Sequence, residues 1–134
     1  MTPDRVLDTI EAVVVRPWNC AAGLHCIGDA GGVFRLLWGI DPVAGLRGRC
    51  TTPRGAMRVV AGAGGMDAML QAEFAASGLV CGVGPGAIGI GTTYEAAFGG
   101  LCAVICIEPG VWAGKSRGGF VVSKMSVGGW LCQD

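Results

Sequence analysis

Seven cysteines and one histidine are the residues of this 134-residue chain that could carry nucleophilic chemistry. A catalytic cysteine needs a base to take its proton, and histidine is the usual one. His25, the single histidine, directly precedes Cys26, so these two residues are the candidate catalytic pair. Consecutive residues on a helix do not face each other, which makes His25 a poor base for Cys26. A helix N-terminus would still favour a reactive thiolate at Cys26.

The cysteines could alternatively hold a metal ion or an iron–sulfur cluster. Structural zinc sites use closely spaced pairs of ligands, and iron–sulfur clusters accept more irregular spacing. Cys102 and Cys106 share one side of a predicted strand but lie roughly 13 Å apart, too far for one zinc ion. No C-x-x-C pair exists, which excludes a thioredoxin-like redox site. We therefore expect no metal and no cofactor, with a cysteine-ligated cluster as an alternative.

Two other segments resemble ligand-binding sequences. The glycine-rich run 84–91 lacks the Lys-Ser/Thr of a phosphate-binding P-loop, which favours tight turns between short strands. The basic run 47–54 contains no aromatic side chains on which bases could stack. It fits a solvated loop, a turn paired with carboxylates, or a contact to an acidic neighbouring subunit. Nucleic acid is not expected as the main ligand.

Composition and charge indicate one domain, residues 1–134, that belongs to a larger assembly. Ten basic residues balance ten acidic ones, while 51% of the chain is hydrophobic and 25 residues are glycine. Apolar surface left uncovered is normally covered by a partner. The longest uncharged apolar stretch, 96–107, is shorter than the ~20 residues of a membrane span. An odd number of cysteines without a secretory signal indicates reduced thiols and synthesis in the cytoplasm.

Local patterns predict helices in the first half of the chain and strands in the second. Capping threonines before prolines and apolar stripes predict helices over 3–14, 26–38, 52–61 and 66–76. Short apolar or β-branched runs separated by Gly-Pro turns predict strands at 79–81, 87–90, 101–107, 111–115 and 120–124. Helices followed by a meander of strands predict an α+β domain, with the N-terminal helices packed on a small antiparallel sheet or barrel.

The order of these features resembles the NlpC-type cell-wall cysteine peptidases, and in particular a small branch found among bacteriophage and prophage tail proteins. The segments that carry the resemblance are Arg16-Pro17-Trp18, Cys26 at a helix start, Gly39-Ile40-Asp41-Pro42, Arg47-Gly48-Arg49-Cys50, Thr52-Pro53-Arg54-Gly55-Ala56-Met57-Arg58, the strand region 85–90, and Trp130. The resemblance implies a papain-like fold with Cys26 in the place of the nucleophile.

The departures from the family pattern fall on the residues that perform the chemistry. His25 stands where the pattern has an aspartate, and Cys20 with a longer segment replaces the Trp-Gly step. The family histidine begins a central strand, which here corresponds to Gly100-Leu101-Cys102, and no histidine occurs there.

The resemblance and its departures together imply a structural or assembly component of a bacteriophage tail, in the tail tip or hub region, without peptidase activity. Its expected partners are other tail subunits, with peptidoglycan as a further possible contact, and its expected location is the virion tail. An active peptidoglycan endopeptidase used in genome delivery is the alternative.

Overall fold

The computed structural model describes residues 1–14, 25–46, 53–92, 101–116 and 119–132. The helices in these ranges are Pro3–Val14 (α1), His25–Trp38 (α2), Pro53–Gly62 (α3) and Met66–Ala76 (α4), with a short 3-10 helix at Ala44–Leu46. The strands are Val80–Cys81 (β1), Ile88–Thr92 (β2), Leu101–Glu108 (β3), Val111–Ser116 (β4), Gly119–Lys124 (β5) and Gly129–Leu131 (β6). The segments 15–24 and 47–52 lie outside the described residues. They contain the Arg-Pro-Trp step, Cys20, the Arg-Gly-Arg loop and the predicted cap Thr52.

Local side-chain chemistry sets the ends of the helices. The hydroxyl of Thr2 accepts a hydrogen bond from the backbone N–H of Arg5 at 3.3 Å, which is the predicted N-cap of α1. Gly39 ends α2 with a φ of 77°, and its N–H donates to the carbonyl of Arg35 at 2.7 Å. A residue other than glycine would be strained at this left-handed position, so the predicted C-terminal glycine stop is confirmed.

The strands form one antiparallel sheet in the order β1-β6-β2-β3-β4-β5. The predicted α+β class, with helices first and an antiparallel sheet second, is confirmed. All five predicted strands are present with small shifts at their ends, and β6 is a strand that the pattern did not predict. β6 is only three residues long, and it is inserted between β1 and β2.

The short connection between β5 and β6 requires the sheet to curl. Lys124 and Gly129 are five residues apart, so the chain between them reaches at most about 18 Å. Four strand spacings of a flat sheet would separate β5 from β6 by about 19 Å. An ideal Cβ atom built on Gly89 would lie 2.7 Å from the carbonyl oxygen of Gly128. An ideal Cβ atom built on Gly91 would lie 2.8 Å from the Met125 sulfur. The β5–β6 connection therefore crosses the concave face of the sheet above β2.

Trp112 of β4 fills the concave face. Its side chain is fully buried, and it lies 2.9 Å from the position a Cβ would take on Gly89 and 3.1 Å from that position on Gly129. The strand pairing places Gly89 beside Gly129, so the two glycines form adjacent gaps in the sheet surface. The indole fits because these two positions carry no side chain.

The helices cover other parts of the sheet. α2 contacts β2, β3 and β4, and α1 packs on both α2 and β3. On α4, the ring of Phe74 lies 5.9 Å from that of Trp130, whose side chain points away from the concave face because it alternates with Gly129. β3 is consequently buried along nearly its whole length.

We predict that Gly89→Ala destabilises the fold by about 1–3 kcal/mol, because the new methyl group would overlap a backbone carbonyl and the fully buried indole. Chemical denaturation followed by tryptophan fluorescence measures this change. Gly84→Ala is the matched control, since its Cβ would have no atom within 4 Å. Equal stability of the two variants would contradict the packing of Trp112 described here.

Candidate functional site

The first turn of α2 holds the candidate catalytic residues. α2 begins at His25, one residue earlier than predicted, so Cys26 is the second residue of the helix. The predicted placement of Cys26 at a helix N-terminus is therefore confirmed for the backbone. The side chains of His25 and Cys26 lie outside the described part of the structure.

The C-terminal end of α2 is fixed to the sheet by a hydrogen bond from Trp38. Its indole Nε1 donates to the carbonyl of Gly86 at 3.0 Å, and the N–H of Gly86 donates to the carbonyl of Cys106 at 2.8 Å. The last turn of α2 therefore lies at the C-terminal end of β3. α2 packs more extensively on β3 than on β2 or β4.

The resemblance to NlpC-type peptidases predicts a histidine at the beginning of β3. Leu101 is half-buried there, and Cys102 is fully buried. The chain contains a single histidine, and that histidine is on α2 itself. No imidazole from β3, or from any other element of this chain, is available to take a proton from Cys26.

The other described cysteines are spread over the sheet. Cys102 and Cys106 both lie in β3, as the spacing predicted, and both are fully buried. Cys81 of β1 is exposed, and Cys132 is half-buried just after β6. Among the described residues, no three cysteine, histidine or carboxylate side chains are grouped so that they could hold a metal ion. Cys20 and Cys50 lie outside those residues.

Cys106 is a poor nucleophile because its thiol stays protonated. Burial raises the pKa of Cys106 above its ordinary value of 9.0, and the nearby Glu108 carboxylate raises it further. A hydrogen bond from the backbone of Gly84 opposes this rise in pKa without reversing it. The thiol therefore acts as a small apolar side chain of the core.

The raised pKa of Cys106 predicts a loss of stability at alkaline pH. Above about pH 9 the unfolded chain loses this proton while the folded protein keeps it, so deprotonation stabilises the unfolded state. The free energy of unfolding should fall more steeply with pH in the wild type than in Cys106→Ala. Denaturation at several pH values from 7 to about 10.5 measures both slopes. Cys81→Ala removes an exposed thiol as the control, and identical slopes for wild type and Cys106→Ala would contradict the prediction.

The glycine-rich run forms a turn and a strand. The N–H of Ala87 donates to the carbonyl of Gly84 at 3.0 Å, and Gly86 has a φ of 87°. Proline followed by a left-handed glycine at the two central positions is typical of a type II turn. The remaining glycines of the run, Gly89 and Gly91, lie in β2. A phosphate-binding loop would lead into a helix, whereas this run leads into a strand, and the prediction of a tight turn is confirmed for residues 84–87.

An open cleft of about 400 Å³ lies between α4 and the β1–β6 pair. Its walls include Asp67, Gln71, Cys81 and Trp130. The amide of Gln71 donates to the carboxylate of Asp67 at 2.8 Å, so the polar groups of one wall satisfy each other. Sequence reasoning missed this cleft, because it depends on β6 pairing with β1 and on Phe74 of α4 packing against Trp130.

No family model, curated protein or solved structure matches this chain. No helix among the described residues combines the length and the hydrophobicity that a membrane crossing requires.

Proposed function

We propose that this protein is a structural subunit of a bacteriophage tail, with a papain-like NlpC-type fold that no longer hydrolyses peptides. One observation carries the non-catalytic part of the proposal. Cys26 lies in the first turn of a helix packed along β3, and the only histidine of the chain is its neighbour on that helix.

The arrangement of the elements supports the family assignment. A papain-like peptidase places its nucleophile at the N-terminus of a helix packed against an antiparallel sheet, and here α2 stands in that relation to β3. The Gly39–Pro42 turn that follows α2 is one of the segments on which the resemblance depends. The N–H of Val43 donates to the Asp41 side chain at 3.1 Å, which forms the turn typical of aspartate in this position.

The missing base favours a scaffold over a peptidase. A positioned general base contributes typically about 10²–10⁴-fold to the rate of such reactions. In the family the base acts from the strand beside the nucleophile helix, and Leu101 occupies the beginning of that strand here. A leucine can neither accept nor return a proton. Cys26 is thus left without the partner that would make it a peptidase nucleophile.

The surface supports a role in an assembly. Large apolar side chains are exposed on several elements, including Leu36 of α2, Met57 of α3, Val83 after β1 and Val122 of β5. The balanced net charge removes electrostatic repulsion between neighbouring copies. Other tail subunits are the proposed partners, the virion tail is the proposed location, and peptidoglycan is a further contact that the family implies.

Assays of wall-peptide cleavage test the loss of hydrolysis. We expect the wild type, Cys26→Ser and His25→Ala to release the same background amount of product from purified peptidoglycan. An active NlpC-type peptidase serves as the positive control. Cleavage by the wild type above background that Cys26→Ser abolishes would establish the alternative, a peptidoglycan endopeptidase.

Labelling of intact particles tests the tail assignment. Antibodies against this chain should bind the tail of the phage or induced prophage that encodes it, as seen by immunoelectron microscopy. Mass spectrometry of the purified particles should detect its peptides in the same fraction. Particles that lack the chain altogether would refute the assignment to the virion.

A further inference from the structure

α1 presents an exposed stripe of acidic and apolar side chains. Asp4, Leu7, Asp8 and Glu11 are spaced by three and four residues, so they share one face of the helix, and all four are exposed. Leu7 is 36% exposed at the middle of this acidic stripe. The opposite face of α1 is anchored in the core through Val6, Ile10 and Val13.

α3 presents a stripe with the same spacing and the opposite charge. Arg54, Met57, Arg58 and Ala61 share one face of this helix, and all four are exposed. Met57 is 62% exposed, the highest value among the large apolar side chains described. α3 buries Ala56 and Val60 on its other face, so the basic stripe is held outward by the packing of the helix.

The two stripes are not partners of each other within one chain. α1 packs on α2 and β3, whereas α3 packs on α4. In the described residues no ion pair joins the carboxylates of α1 to the guanidinium groups of α3. Two exposed helix faces therefore carry complementary charge around an apolar side chain, and each is free to meet the other in a different molecule.

We infer that the acidic stripe of one copy of this protein binds the basic stripe of a second copy. With the two helices side by side and antiparallel, Leu7 meets Met57, and two carboxylates of α1 lie opposite Arg54 and Arg58. Pairing of two identical stripes would bring like charges together, which disfavours it. The contact therefore joins α1 of one copy to α3 of another, as in a reciprocal dimer or a head-to-tail ring.

The contact should be weak and sensitive to salt. Exposed ion pairs contribute about 0–1 kcal/mol each, and the apolar contact involves one side chain from each helix. The Debye length falls from about 10 Å at 0.1 M salt to about 3 Å at 1 M, so high salt should weaken the association. The inference names a partner for the tail subunit proposed above, but it depends only on the two stripes and can fail independently of that proposal.

Charge reversal on each stripe tests this inference. The acidic stripe is reversed by Asp8→Lys with Glu11→Lys, and the basic stripe by Arg54→Glu with Arg58→Glu. Asp4 is left in place because it favours the N-terminus of α1. Sedimentation velocity at low salt should show concentration-dependent association of the wild type, weakened at least tenfold at about 1 M salt. Each double variant alone should be monomeric.

An equimolar mixture of the two double variants provides the decisive measurement. The reversed α1 of one variant is complementary to the reversed α3 of the other, so the mixture should associate as strongly as the wild type. Glu108→Lys and Lys124→Glu reverse exposed charges outside the stripes and should leave association unchanged. Circular dichroism checks that every variant is folded. A wild type that stays monomeric at low salt, or association that persists in either double variant, would overturn the inference.

Discussion

The packing of Trp112 against two glycines is the constraint on which the curved sheet depends. A side chain of this size fits on the concave face only where the neighbouring strands carry none, and Gly89 and Gly129 meet that condition. The curl in turn lets four residues connect β5 to β6 across the sheet. β6 then pairs with both β1 and β2 and completes the surface on which Phe74 of α4 packs.

The sequence predicted those elements whose ends are set by local chemistry. Thr2, Gly39 and the Gly84–Ala87 turn each act within a few residues, through a side-chain cap or a left-handed glycine, so their effect is visible in the pattern. β6 and the curl depend on contacts between distant positions, such as Trp112 with Gly129. A three-residue strand has too few positions for an alternating pattern, and a glycine selected for close packing looks the same in the sequence as one selected for a turn.

The candidate site was predictable in its chemistry and less so in its geometry. That the chain has one histidine, beside Cys26, is a fact of composition, and it already excludes a histidine base on another element. That the last turn of α2 lies at the C-terminal end of β3 depends on the hydrogen bonds from Trp38 to Gly86 and from Gly86 to Cys106. These two contacts join segments about fifty and twenty residues apart in the chain, so no local pattern contains them.

The role of α2 in the core does not depend on any chemistry at Cys26. α2 supplies Ile27, Phe34 and Leu37 to the core, and α1 packs against it, so its contribution to folding does not depend on a proton acceptor near Cys26. Full burial of one large apolar side chain stabilises the fold by about 1.5–3 kcal/mol, so these core residues give α2 a role in stability. Leu101 at the start of β3 has a similar role, since it is half-buried and packs against the core.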